Sequence, residues 1–93
     1  MKKGEILYLS TKHVTSKTAG MLNSCAFNDE KLNNGSRVHA KGLYGWFVEI
    51  LEDTSGLDDD IKSCMELAKK ENCEWLVFDR EIDILSSLLT YKW

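Results

Sequence analysis

The sequence predicts a small α/β protein of a single domain, residues 1–93. The expected architecture is an α+β sandwich with a three- to four-stranded mixed sheet, two main helices and a short C-terminal helical segment. Three observations lead to this class. The 93 residues are 43% apolar, enough for one modest core and too few for a second domain. Short runs of β-favouring residues alternate with stretches of helical periodicity. Proline is absent, so Gly, Asn, Asp, Ser and Thr must make every turn.

The first half of the chain predicts a strand, a helix and a second, short strand. Residues 6–10 are apolar and β-favouring. Thr15 is a suitable N-cap for a helix over residues 16–26, whose apolar positions recur three and four apart. Asn34-Gly35 lies in the most polar stretch and predicts an exposed loop or hairpin tip. Residues 38–41 follow it as a short strand.

The second half predicts strand, helix, strand and a short terminal helix. Residues 46–51 form the clearest strand pattern. A helix follows, with aspartates in its first turn, lysines in its last and Asn72 at its end, an order that suits the helix dipole. Its apolar stripe is Leu57, Ile61, Cys64, Met65 and Ala68. Residues 74–80 predict the last strand, and residues 82–93 predict a short helix or turn with an aromatic tail.

The strands are apolar on both sides, which is typical of a sheet covered on both faces. Ile6 and Tyr8 share one side of their strand, and Trp75 and Val77 share one side of theirs. Two helices are barely enough to cover one face. The second face therefore requires the C-terminal tail, a second copy of the chain or a different protein. The last strand–helix–strand unit is expected to be parallel with a right-handed crossover.

Charge is unevenly distributed along the chain. Residues 1–45 carry seven basic and three acidic side chains, whereas residues 46–93 carry five and twelve. Five acids fall between positions 52 and 60 with no intervening cation, and an acidic surface of this kind can steer a basic partner. The alternative is a solvated acidic loop that leads into a helix. The candidate partner-binding residues are the acids Glu52, Asp53, Asp58, Asp59 and Asp60 and the aromatic residues Tyr44 and Trp93.

Composition excludes several function classes. A formal charge of −3 argues against direct nucleic-acid binding. No apolar run approaches the ~20 residues that span a bilayer, so no membrane association is expected. The odd cysteine count, Cys25, Cys64 and Cys73, argues against a disulfide framework and for a reducing cytoplasm. We expect no metal and no cofactor, because neither metal-ligand spacing nor a phosphate-binding glycine loop is present.

Polar residues follow the first and last strands. Ser10 and His13 come after the first strand, and Asp79 and Arg80 end the last. If these strands are parallel neighbours, the four residues meet at a carboxyl edge, where α/β ligand sites often lie, and His13 with Asp79 could form a base–orienter pair. In the alternative, Asp79 caps the following turn and Arg80 pairs on the surface.

Several short patches together resemble a family of short bacterial proteins of unknown function, found on plasmids, phages and conjugative elements. The patches are Leu9-Ser10-Thr11-Lys12-His13-Val14-Thr15, Tyr44-Gly45-Trp46-Phe47, Asn72-Cys73, Glu74-Trp75-Leu76-Val77-Phe78-Asp79-Arg80 and Thr90-Tyr91-Lys92-Trp93. The resemblance supplies no catalytic residues. It implies an accessory gene of a mobile element, some of which blunt host defences such as restriction or CRISPR.

We therefore expect a non-enzymatic protein-interaction module, an inhibitor of a host defence protein of the anti-CRISPR or anti-restriction type, that acts through its acidic surface. Its partner would be a host protein or a second copy of the chain. Two alternatives stay open: a small enzyme or ligand-binding domain at the edge formed by residues 10–13 and 79–81, and a structural homodimer.

Overall fold

The computed structural model describes residues 5–42 and 45–91. Over these ranges the chain forms a four-stranded mixed sheet and two helices, as the sequence predicts. Their order along the chain is β1 (Ile6–Leu9), a 3-10 turn (Thr11–His13), α1 (Ser16–Asn28), β2 (Val38–Lys41), β3 (Gly45–Glu49), α2 (Asp59–Lys70) and β4 (Trp75–Asp79).

The strand order across the sheet is β1-β4-β3-β2. β1 and β4 are parallel neighbours, with Ile6 opposite Trp75 and Leu9 opposite Phe78. β3 and β4 are antiparallel, and β2 and β3 form an antiparallel hairpin. The expectation of a parallel β3–α2–β4 unit is therefore wrong.

The connection between β3 and α2, residues 50–58, explains the antiparallel pairing. It runs back along α2: the Lys69 Nζ donates to the Glu52 carbonyl at 2.8 Å, and the Thr54 hydroxyl donates to Glu66 at 2.7 Å. Nine extended residues reach about 30 Å, more than the length of these strands. The connection runs from the C-terminal end of β3 back toward its N-terminal end. Helix α2 then runs in the direction of β3 and returns the chain to the C-terminal end of β3, where β4 starts.

Local signals set the start of α1 and both ends of α2 where the sequence predicts them, whereas α1 continues two residues past its predicted end at position 26, to Asn28. The Thr15 hydroxyl accepts the Thr18 N–H at 3.2 Å and caps α1. Aspartates occupy the first turn of α2 and lysines its last. Asn72 follows α2 with a φ of 61°, the left-handed conformation that stops a helix.

Both helices lie against the same face of the sheet. The core contains Leu9, Trp46, Val48, Leu76 and Phe78 from this face, packed against residues such as Leu22, Ile61 and Met65 from the helices. We call this side the covered face. Register places the alternate residues on the other side, which we call the open face: Ile6, Tyr8, His39, Phe47, Trp75 and Val77.

The open face is apolar but has no layer of helices over it. Ile6 is 40% exposed and Tyr8 is 52% exposed. Val77, at its centre, is fully buried yet does not belong to the core cluster. Among the described residues, the two helices therefore cover one face of the sheet, as their number predicted, and the other face depends on the three coverings that the sequence left open: the C-terminal tail, a second copy or a different protein.

The C-terminal segment forms turns, one of the two outcomes left open for residues 82–93, and the short helical segment of the expected architecture is absent from its described part. Residues 80–91 contain no helix, and the Leu88 N–H donates to the Leu85 carbonyl in a turn. The segment packs on the 3-10 turn and α2, where Leu88 contacts the core and the Tyr91 N–H donates to the Lys12 carbonyl at 2.9 Å. The apolar stripe of this segment has only four to five residues, which is too short to stabilise a helix alone. The backbone groups of the segment form hydrogen bonds with other parts of the chain instead. The described part of the tail thus leaves the open face uncovered.

Candidate functional site

The connection before α2 presents four exposed or half-buried carboxylates on one strip. We call residues 52–59 the acidic strap, and its carboxylates belong to Glu52, Asp53, Asp58 and Asp59. The strap is fixed by its backbone: the Asn34 side chain donates to the Asp53 carbonyl at 2.8 Å, and Asn33 donates to the Gly56 carbonyl at 3.0 Å. These bonds leave the acidic side chains pointing outward on a defined backbone.

The loop that holds the strap is itself anchored in the core. Leu32 and Ser36 are buried, and the backbone closes a tight turn around Gly35, which has a φ of 94°. The sequence predicted Asn34-Gly35 as an exposed loop or hairpin tip; an antiparallel bridge between Lys31 and Arg37 closes the turn as a hairpin tip, and its asparagine side chains bond to the strap. Asparagine side chains are the anchors because an amide donates to a carbonyl without adding charge.

Asp60 is placed differently from the other four predicted acids. It is 7% exposed, and its carboxylate accepts the Thr15 N–H at 2.8 Å. Burial alone would raise the pKa of Asp60, but hydrogen bonds from Thr15 and Thr18 hold it below its ordinary value. Asp60 therefore joins the start of α2 to the start of α1 and offers no surface to a partner.

Asp53 stays ionised on the strap. The Ser55 hydroxyl and backbone N–H both donate to its carboxylate, at 2.6 and 2.9 Å, and they lower the pKa of Asp53. Asp58 forms a long ion pair with Lys17 at 3.8 Å, and both side chains are largely exposed. Such exposed pairs are weak and leave the carboxylate available for a stronger cation.

His13 is buried at the carboxyl end of β1, and both of its ring nitrogens are used. Its Nδ1 lies 2.8 Å from the Leu89 carbonyl, and its Nε2 accepts the Leu85 N–H at 3.0 Å. The carbonyl requires a proton on Nδ1 and the N–H requires a lone pair on Nε2, so the ring is the neutral Nδ1-protonated tautomer. His13 therefore holds the C-terminal segment on the helix layer.

The other predicted edge residues lie near the same end of the sheet with separate partners. The Ser10 hydroxyl accepts the Lys12 N–H at 3.1 Å and caps the 3-10 turn. Asp79 accepts from Lys41 Nζ at 2.9 Å and from the Glu81 N–H at 2.9 Å, and the bond from Lys41 lowers the pKa of Asp79. Arg80 is exposed in the turn that follows. The base–orienter pair of His13 with Asp79 is not formed, because each makes its hydrogen bonds with another part of the chain.

The open face is the uncovered side of the sheet that the sequence predicted, and the structure adds the contacts that form its groove. Arg37 lies over the Trp75 ring, with its Cζ 5.9 Å from the ring centroid, and pairs with Glu49 at 2.9 Å. His39 packs on Trp75 with ring centroids 6.0 Å apart. A shallow groove of about 380 Å³ lies among Ile6, His39, Ala40, Phe47 and Trp75. The period-two alternation grouped most of these residues on one side, but cross-strand pairs such as Arg37 with Glu49 depend on register.

The described residues contain no cluster of side chains that could hold a metal ion, and no described helix is long and apolar enough to span a membrane. All three cysteines are free thiols. Burial, with a smaller contribution from Asp60, raises the pKa of the Cys64 thiol to about 12, which makes it unreactive. The two predicted aromatic anchors, Tyr44 and Trp93, lie outside the described residues.

Comparison with known proteins identifies the family to which the chain belongs. The profile of the C-terminal domain of a family of unknown function, DUF5983, matches residues 6–93. The chain belongs to this family. The match spans every described helix and strand, from β1 to β4, together with the C-terminal segment that His13 holds. No curated protein and no solved structure matches the chain.

Proposed function

We propose that the chain is a non-enzymatic protein-interaction module that binds a basic surface of a partner protein through the acidic strap. The observation that carries this proposal is the anchoring of the strap. Its backbone carbonyls accept hydrogen bonds from the side chains of Asn33, Asn34 and Lys69, while its four carboxylates stay accessible. A backbone that is already ordered loses little conformational entropy on binding.

Electrostatics supports the same partner chemistry. Several carboxylates within one short segment attract a cationic groove over a distance set by ionic strength, and this attraction raises the association rate. Partner proteins that bind nucleic acid expose such grooves, because they neutralise phosphates with Lys and Arg.

A more specific proposal, on the origin of the gene and the kind of partner, follows from the family resemblance. We propose that the chain is encoded by a bacterial mobile element and acts in the cytoplasm as an inhibitor of a host defence protein, of the anti-restriction or anti-CRISPR type. In such a complex the strap carboxylates would occupy the groove that the nucleic-acid phosphates otherwise fill.

The test compares a tagged wild-type chain with a variant that neutralises the strap: Glu52→Gln, Asp53→Asn, Asp58→Asn and Asp59→Asn. Asparagine keeps the turn at Asp53 and suits the N-cap position of Asp58, whose side chain makes no capping hydrogen bond, so the fold is retained. Each protein captures partners from bacterial lysate, and binding of the captured nuclease or nucleic-acid-binding protein is then measured against salt. We expect the variant to lose at least tenfold in affinity and most of the salt dependence.

The matched control neutralises four acids elsewhere on the surface: Glu5→Gln, Glu30→Gln, Glu81→Gln and Asp83→Asn. It changes the net charge equally and leaves the strap intact, so we expect binding close to wild type. Equal losses in both variants would mean that net charge alone matters. Binding unaffected by the strap variant and by salt would contradict the proposal.

A further inference from the structure

The open face carries as many positive as negative charges. Arg37 pairs with Glu49 at one end and Lys41 pairs with Asp79 at the other, both at 2.9 Å. The apolar residues between these ion pairs are therefore bounded by charges that are already neutralised. Such a face selects neither a basic nor an acidic partner and differs in this respect from the acidic strap.

The two edges of the open face differ in chemistry. The β2 edge presents Arg37, His39 and Lys41, whereas the β1 edge presents the uncharged Ile6 and Tyr8. A two-fold axis parallel to the strands, lying between two stacked copies, places the β2 edge of each copy over the β1 edge of the other. No like charges then meet, and because such an axis keeps each residue in its own row of the sheet, His39 of each copy lies over Tyr8 of the other, an aromatic pair, while Arg37 lies over Ile6.

We propose that the open face is the interface of a symmetric homodimer in which the sheets of two copies stack face to face. Stacked sheets pack about 10 Å apart with their strands roughly aligned, and identical twist makes two copies compatible. The dimer goes beyond the proposed function and does not depend on it, because the acidic strap and the open face belong to different layers.

The size of the face sets the expected strength. Four strands about 4.8 Å apart and four or five residues long cover a flat footprint of roughly 290 Å², and projecting side chains add to the accessible area. A standard interface takes about 800 Å² from each partner, so this interface falls below the standard class and the dimer is weak and reversible.

Sedimentation equilibrium over a series of concentrations tests the proposal. We expect the wild-type mass to rise from monomer to dimer with concentration, and Tyr8→Ser to weaken dimerisation about tenfold or more, since a partly exposed aromatic residue is lost from the interface. Phe27→Ser is the matched control: Phe27 is 77% exposed on α1, in the helix layer, and its loss leaves the dimer unchanged. Circular dichroism verifies that both variants are folded.

Cross-linking tests the arrangement of the two copies. In a Cys73→Ser background, the variant Tyr8→Cys/His39→Cys places thiols on the two edges, which lie about 14 Å apart within one copy. A short bismaleimide then joins position 8 to position 39 of the other copy and gives a covalent dimer, whereas Tyr8→Cys alone gives none. A monomer at every soluble concentration, a dimer unchanged by Tyr8→Ser, or efficient cross-linking by Tyr8→Cys alone would each overturn the proposal.

Discussion

The two faces of the sheet are both apolar, but they are shielded from water in different ways. On the covered face, Leu76 and Phe78 are fully buried beneath α1 and α2. On the open face, Val77 is equally buried, and Tyr8 and Phe47 lie opposite it on the neighbouring strands. The difference teaches that burial of a strand residue does not imply a second layer, because large side chains at the cross-strand positions can shield a small central residue.

The largest expected effect separates the two faces within one strand. Phe78→Ala removes a ring from the covered core and should cost about 3–5 kcal/mol of unfolding free energy, because the helices cannot collapse into the cavity. Val77→Ala removes two methyl groups from the open face and should cost about 1–2 kcal/mol. Chemical denaturation measures both. Equal costs would show that the open face is covered as well as the other.

The next prediction concerns the bond that fixes the helix layer over the covered face. Asp60→Asn replaces the carboxylate that accepts the Thr15 N–H, and the loss should be about 1–3 kcal/mol at neutral pH. Because folding lowers the pKa of Asp60, its stabilising effect is present above the ordinary value of 3.8 and is lost as pH falls through the folded-state pKa.

Other carboxylates also have lowered pKa values, Glu49 and Asp79 among them, so the difference between wild type and variant is the informative quantity. Denaturation midpoints measured from neutral to acidic pH should converge for the two proteins at low pH. A constant difference across the range would mean that ionisation of Asp60 contributes nothing to the helix layer.

The smallest expected effect tests what keeps the C-terminal segment off the open face. His13→Phe retains a ring in the buried site but loses the hydrogen bonds to Leu85 and Leu89, and it should cost about 1–2 kcal/mol. Hydrogen exchange should show faster exchange at the amides of residues 85–91, with little change in β4. If those amides stay protected, packing of Leu88 rather than His13 holds the segment.

Sequence alone determined the order of the two helices and four strands, the start of α1 and both ends of α2. Thr15 marks the start of α1, aspartates mark the first turn of α2 and lysines its last, and Asn72 marks the end of α2. The sequence reveals these ends because each signal acts within one helical turn. The parallel pairing of β1 with β4 was only a condition in the sequence argument for a shared edge of Ser10 and Asp79, and the tertiary structure supplies it. The acidic segment is readable from charge spacing, although sequence reasoning could not separate Asp60 from its neighbours.

Tertiary structure decided the rest. The antiparallel path between β3 and β4 depends on where residues 50–58 dock, through contacts with Asn34 and Lys69 that lie far away in the chain. His13 receives its partners from residues more than seventy positions away. Alternation revealed two apolar sides for each strand, but only assembly of both helices on one side showed which remained open. Local periodicity is fixed by backbone geometry, whereas the covering of a face is a competition between distant segments for the same apolar surface.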